Sequence, residues 1–356
     1  MKLKLALLGF GVVGQGLVDH LIHNSEKAKE EVGFDPIVVA ISDFKKGSIY
    51  DPNGLNLALV LETLEETGSL DTYPGSNDLV RGLDAIETII ESNADVVVEA
   101  TYTNVKTGEP AITHCKTAFE HKKSVVMTNK GPIALALKEL EQLAKENSVF
   151  LGYEGTVMSG TPALRLPKAT LIGNEITKIS GILNGTTNYM ITQMEAGKSY
   201  EAALAEAQEK GYAEADPTSD VEGYDAMYKV VILANAIMGK SITVDQVERK
   251  GLNTLSREAI VAAKANQRCW KMLGTVEELP DGDVRASVKP VEVAMDHPLA
   301  SIGGATNAVT YTCNMSGEIT LTGAGAGKSE TGFALMIDLI YCHLHVQKQA
   351  TITMVN

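Results

Sequence analysis

Positive charge is scarce in this chain: 31 Lys and Arg stand against 45 Asp and Glu, a net charge of -14 over 356 residues. Such a surface is soluble and self-repelling, and it argues against nucleic acid or an anionic membrane as a general partner. It leaves room for an anionic cofactor, because local backbone dipoles hold phosphates. Cysteine is sparse as well. Cys115, Cys269, Cys313 and Cys342 are widely separated, with no CxxC and no Cys/His ligand spacing, and read as dispersed thiols of a cytoplasmic protein. No apolar run is long enough to cross a bilayer. The start, MKLKLALLGFGVVGQG, is interrupted by glycine and carries no small-residue cleavage site, so a leader is not expected. Internal repeats, low-complexity tracts and long linkers are also missing. What remains, 44% apolar and 21% charged residues, is ordinary globular composition, and the length implies two domains.

The apolar pattern alternates between strand and helix through the first half. Lys2 to Leu8 reads as a buried parallel strand and Val12 to about Glu31 as a helix. PIVVAIS, ADVVVEAT, SVVMT and SVFLGYE read as further strands, with PAITHCKTAFEHK and PIALALKELEQLAKEN as helices between them. That order predicts an α/β fold, a Rossmann-type doubly wound parallel sheet. After Glu154 the pattern becomes α+β, with helices near 186–210 and 222–239 and strand-like VRASVKPVEV, NAVTYTC and EITLTG. Three regions are therefore expected: a nucleotide-binding domain over 1–152, a second domain over 153–320, and over 321–356 a C-terminal helix returning to the first.

Gly9-Phe10-Gly11-Val12-Val13-Gly14 is a GxGxxG directly after a strand and opening a helix. The first glycine permits a tight turn, the second lets the backbone approach a pyrophosphate, and the third allows close helix–strand packing. Asp43, at the end of the second strand, stands where an acid takes the ribose hydroxyls. It lies 29 residues past Gly14, which requires an extended first helix. Lys45 and Lys46 follow and suit a 2′-phosphate, so NAD and NADP both stay open. TGAGAGKSE (322–330) only resembles a triphosphate-binding loop, because Thr322 stands where its first glycine belongs.

A second cluster runs GYAEADPTSDVEGYDAMYK from Gly211 to Lys229. Asp225 and Lys229 are four apart and share a helix face. An ordinary surface ion pair is one reading. The other is a buried reactive lysine, since VVILANAIM follows and makes the helix apolar nearly all round. Lys130, in VVMTNKGPIA, follows a parallel strand at the sheet edge where ligands bind. Burial and a neighbouring cation both lower a lysine pKa, and such a lysine exchanges protons near neutral pH. That chemistry suits hydride transfer to a carbonyl.

LNGTTNYM (183–190), the 211–229 motif, TNK (128–130), YDPNGL (50–55) and the terminal GAGAG with its helix resemble homoserine dehydrogenases over essentially the whole chain. The resemblance implies reversible NAD(P)-dependent interconversion of L-homoserine and L-aspartate 4-semialdehyde by a homodimer, within amino-acid biosynthesis. It implies Lys229 and Lys130 as catalytic lysines, with Lys229 the proton donor to the aldehyde oxygen. Glu214 and Asp225 would hold the substrate and Asp216 and Asp220 shape the loop, while Asn184, Gly185 and Thr186 line the substrate domain. Thr101, Thr103 and Lys130 would join Gly9, Gly11, Val12, Val13, Gly14 and Asp43 at the cofactor. A sodium ion would sit on backbone carbonyls around Glu154, Val157, Ser159 and Thr161. No regulatory ACT domain or aspartate kinase fusion is expected after the last helix. An aspartate-semialdehyde dehydrogenase would need an activated cysteine, which no motif here provides. A non-catalytic NAD(P) sensor would require nothing of the lysines.

Overall fold

A computed structural model describes Lys2–Val355, with side chains through Lys348. The chain divides into two compact units, Met1–Thr156 with Gly327–Asn356, and Val157–Ala326.

The first unit begins with β1 (Leu3–Leu8), α1 (Val12–Val32), β2 (Pro36–Asp43), β3 (Gly47–Tyr50), α2 (Leu57–Thr67) and β4 (Val80–Arg81). It continues through α3 (Ala85–Glu91), β5 (Val96–Glu99), α4 (Ala111–Glu120), β6 (Ser124–Met127), α5 (Lys130–Glu146) and β7 (Leu151–Gly152). Its sheet has the order β4-β3-β2-β1-β5-β6-β7. β1 lies parallel to both β2 and β5, with Leu8 opposite Ser42 on one side and Glu99 on the other. The carboxyl ends of β1, β2, β5 and β6 therefore share one edge, and the strand order reverses at β1.

The parallel sheet predicted from sequence is modified at one end. β3 runs antiparallel to β2, with Asp43 opposite Gly47, and β4 runs antiparallel to β3. DFKKG is too short to hold a crossover helix, so the chain must turn straight back as a hairpin. Asp43 Oδ1 closes that hairpin by accepting the N–H groups of Lys45 and Lys46, both at 2.9 Å. The long spacing from the glycine loop to Asp43 is taken up by α1, whose 21 residues end at Gly33 in the left-handed region.

The second unit contains α6 (Arg165–Thr170), β8 (Ile176–Ile182), α7 (Gly185–Glu195), α8 (Tyr200–Glu209), α9 (Thr218–Val221) and α10 (Tyr224–Ile237). β9 (Val247–Arg249), α11 (Arg257–Ala265), β10 (Arg268–Glu278), β11 (Val284–Ala294), β12 (Thr306–Cys313) and β13 (Gly317–Ala324) complete it. The sheet order is β13-β12-β8-β10-β11-β9, antiparallel except where β9 joins β11. The helical pattern over 186–210 is two helices, because Ser199 starts α8 by capping the N–H of Ala202. In α10 every residue from Ala226 to Ala234 is buried, Lys229 included.

α12 (Lys328–Val355) belongs to the first unit and packs on α1. The contact is close because both helices carry glycine there. A Cβ at Gly16 would lie 2.2 Å from the Lys328 carbonyl oxygen, and one at Gly332 would lie 2.4 Å from the Gly16 carbonyl carbon. Leu335 and Leu339 enter the core formed by Leu5, Leu7, Phe10, Leu17 and Phe34. No helix among the described residues is long and apolar enough to cross a membrane.

Candidate functional site

The glycine loop in the first unit is shaped by backbone contacts. Gly9 has φ +86, and a Cβ on it would stand 2.4 Å from the Ala100 carbonyl oxygen, so only glycine fits. A Cβ at Gly14 would meet the Gly9 carbonyl oxygen at 2.7 Å, whereas one at Gly11 would meet nothing within 4 Å. Gly11 starts α1 without a side-chain cap, and Val12 beside it is 65% exposed, so the positive end of the helix dipole opens onto free space. Phe10 donates its N–H to Asp43 Oδ2 at 2.7 Å. Asp43 thus ties the glycine loop to the β2–β3 turn. Burial pushes its carboxyl up, but the N–H bonds from Phe10, Lys45 and Lys46 together outweigh this and hold it below its usual range.

Thr101, Thr103 and Lys130 lie after β5 and β6 on the same edge. Lys130 is the first residue of α5. The Thr103 hydroxyl is enclosed and has no hydrogen-bond partner among the described residues. Asn129 donates to the Thr101 carbonyl at 3.0 Å, joining the two loops. An open, uncapped helix N-terminus, a loop that only glycine can form and an enclosed hydroxyl awaiting a partner all fit a dinucleotide.

In the second unit the acidic stretch joins a hydrogen-bond network centred on Asn184. Its side-chain oxygen caps α7 by accepting the Thr187 N–H at 2.9 Å, which fixes the amide group outward. The amide nitrogen then donates to Asp220 Oδ1 at 2.8 Å and Asp225 Oδ2 at 3.1 Å. Thr186 Oγ1 lies 2.9 Å from Asp220 Oδ2 and 2.6 Å from the Tyr212 carbonyl oxygen. Lys229 donates to Asp225 Oδ2 at 2.7 Å and to the Leu183 carbonyl at 2.5 Å. Its side chain is 5% exposed against 16% for Asp225. Gly185 is required where it stands, because a Cβ would meet the Ala305 carbonyl oxygen at 2.7 Å.

The acids of the stretch separate by what they touch. Asp216 accepts the N–H and hydroxyl of Thr218 and shapes the loop, and those bonds hold its carboxyl low. Asp220, placed by the sequence reading with Asp216, instead joins the Asn184–Thr186 cluster. Burial, and then the Asp225 charge, push its carboxyl above the usual range. Glu214 is exposed, and its main-chain carbonyl is held by Gln208 at 3.0 Å. Sequence alone gives no signal for Asp220's partners, which lie 34 and 36 positions away.

Of the four residues assigned to sodium, Glu154 lies in the first unit and Val157, Ser159 and Thr161 in the second. Met158 and Ser159 are both in the left-handed region, at φ 57 and 53, a strained turn for non-glycine residues. No group of three or more His, Cys, Asp or Glu suited to a metal occurs among the described residues. All four cysteines are buried, and burial raises every thiol, Cys342 to about 12. None is a ready thiolate nucleophile.

A family model described as homoserine dehydrogenase matches residues 162–340. A second, described as glutamate/leucine/phenylalanine/valine dehydrogenase, matches residues 2–143. The chain is 45% identical to the NAD(+)-dependent homoserine dehydrogenase of Pseudomonas canavaninivorans over 96% of each chain. The chain belongs to the homoserine dehydrogenase family. A homoserine dehydrogenase of Methanocaldococcus jannaschii is 40% identical, over 97% of this chain and all of that one. A hyperthermophilic archaeal homoserine dehydrogenase, solved in complex with NADPH, superposes with a TM-score of 0.82 at 30% identity, covering 97% of this chain and 98% of that one. The similarity thus runs through both units.

Proposed function

We propose that this protein catalyses the reversible oxidation of L-homoserine to L-aspartate 4-semialdehyde with NAD or NADP, using Lys229 to move the proton. The observation that carries the reading is Lys229 itself: a lysine buried in an apolar helix, aimed by the Leu183 carbonyl and held by Asp225. A surface ion pair needs none of that burial. A nicotinamide, when bound, would supply the hydride acceptor for the alcohol and the hydride donor for the aldehyde.

In the oxidative direction Lys229 Nζ receives the hydroxyl proton, and in the reductive direction it returns a proton to the aldehyde oxygen. Asp225 and the Leu183 carbonyl hold Nζ in one direction throughout. Asn184 keeps Asp225 and Asp220 in place, with Thr186 beside them and Gly185 leaving room for close backbone approach. Glu214, exposed in the loop, takes the substrate ammonium, with Asp225 completing that side. Lys130 is the second catalytic lysine, at the start of α5 in the nucleotide-binding unit. Gly9, Gly11, Val12, Val13 and Gly14 would hold the pyrophosphate, Asp43 would take a ribose, and Thr101 and Thr103 would join them at the cofactor. A sodium ion would take main-chain carbonyls of Val157, Ser159 and Thr161, at the turn bearing Met158 and Ser159. A cytoplasmic homodimer with separate cofactor and substrate domains completes the reading, and light scattering checks the dimer.

Purified protein given L-homoserine with NAD or NADP at alkaline pH is expected to generate reduced nicotinamide, and to consume it faster with the semialdehyde. Binding of cofactor without turnover in either direction would leave a nucleotide sensor and sink the enzyme reading.

A further inference from the structure

A carboxylate with no part in that chemistry lies at the centre of the nucleotide-binding edge. Glu99 ends β5, in register with Leu8 of β1 and Met127 of β6. It therefore stands between the strand that leads into the glycine loop and the strand that leads to Lys130. It is 0% exposed. Burying a carboxylate in the middle of a parallel sheet is costly unless donors surround it, and donors from three segments do. The Thr101 hydroxyl donates to Oε1, with the Thr101 N–H at 3.4 Å. His114 Nδ1, from α4, lies 3.2 Å from the same oxygen. Asn129 donates to Oε2 through the same amide group that reaches the Thr101 carbonyl at 3.0 Å.

An apolar residue would satisfy this position more cheaply, as Val96, Val97 and Val98 do in the same strand. In some proteins buried ionic groups serve a unique geometry rather than stability. The geometry in question is that of Thr101 and Asn129, and Asn129 is the residue immediately before Lys130. We propose that Glu99 is a positioning residue for hydride transfer: its carboxylate clamps the loop after β5 to the loop after β6 and so presents Thr101, Thr103 and Lys130 as one preorganised edge. The inference rests on the homoserine dehydrogenase reading. Glu99 reaches the reaction through Asn129 and Thr101 and does not itself exchange protons with substrate.

The test uses the intact protein with Glu99→Gln, in which an amide NH₂ faces groups that are themselves donors. Homoserine oxidation is expected to lose about tenfold or more in kcat with KM for homoserine within about twofold, the pattern of a lost transition-state alignment. NADH affinity, read by fluorescence titration, should loosen by about threefold to tenfold. The deuterium isotope effect with C4-deuterated homoserine should rise, because hydride transfer becomes slower than product release. The double variant Glu99→Gln/Asn129→Asp restores an amide–carboxylate pair with the roles exchanged and should recover part of both losses. If Glu99→Gln does not fold, Glu99→Asp keeps the charge but retracts it, and the same kcat loss with KM for homoserine within about twofold is expected. Unchanged kcat and NADH affinity in the folded variant overturn the inference, as does a loss matching only the folded fraction. If the wild type fails to oxidise homoserine, the proposed function falls, and the NADH titration of the variants still decides the clamp.

Discussion

Asp43 and Asp220 are partly buried carboxylates, one in each unit, and they are held in opposite senses. Asp43 is raised by burial but then lowered further by three backbone N–H groups, from Phe10, Lys45 and Lys46. Asp220 is raised by burial and by the neighbouring Asp225, and the Asn184 and Thr186 side chains only soften this. Asp43 is therefore held by backbone and Asp220 by other side chains. Backbone donors and helix dipoles are fixed once the fold forms, and they suit a phosphate-bearing cofactor. A side-chain network with like charges held close is less settled and suits a group that must gain and lose a proton.

The largest effect should come from breaking the network at its ion pair. Asp225→Ala leaves Lys229 buried without that carboxylate and should cost about 3 kcal/mol of stability or more, checked by urea unfolding. Replacing the lysine as well, in Asp225→Ala/Lys229→Met, should restore most of it while leaving the protein inactive. In the first unit, Gly9→Ala must place a Cβ 2.4 Å from the Ala100 carbonyl oxygen at φ +86. It should cost about 1–2 kcal/mol from backbone conformation alone, more from the clash, and weaken NADH binding. Glu214→Gln, at an exposed position, should leave thermal stability unchanged and raise KM for homoserine by about tenfold, equivalent to ~1.4 kcal/mol.

The smallest effect sharpens the comparison most. Asp43, held below its unfolded value, contributes stability that is present above pH about 4 and is lost as pH falls through its folded value. Asp220, held above its unfolded value, works the other way: its contribution is full below pH about 4 and fades as pH rises through the folded value. Asp43→Asn should therefore flatten the melting temperature against pH on the acid side of that point, and Asp220→Asn on the other side. The same slope change in both variants would mean the two carboxylates are not held differently.

The contrast also governs what the sequence disclosed. The glycine loop was legible because its rule is steric and local: a strand, GxGxxG and a helix in one run, with no distant partner needed. Lys229 was legible for a related reason, since the apolar run after it marks a buried helix. The antiparallel β3 was not, because the helix-free DFKKG connection is outweighed in a pattern reading by the strands around it. Asp216 and Asp220 look alike in EADPTSD and differ only through partners that folding brings to them: Thr218 next door for one, Asn184 and Thr186 from across the unit for the other. Glu99 was hidden inside an apolar strand, and its donors come from α4 and from the residue before α5.

The division of labour between the units is tested most directly by titrating NADH into Lys229→Ala and measuring homoserine oxidation in the same preparation. General acid–base catalysis of this kind is worth about 10²–10⁴-fold, so kcat should fall by that order while NADH affinity stays within about twofold of wild type. Retained turnover, or loss of NADH binding in step with activity, would contradict the assignment of the proton to Lys229 and of the cofactor to the backbone-built loop.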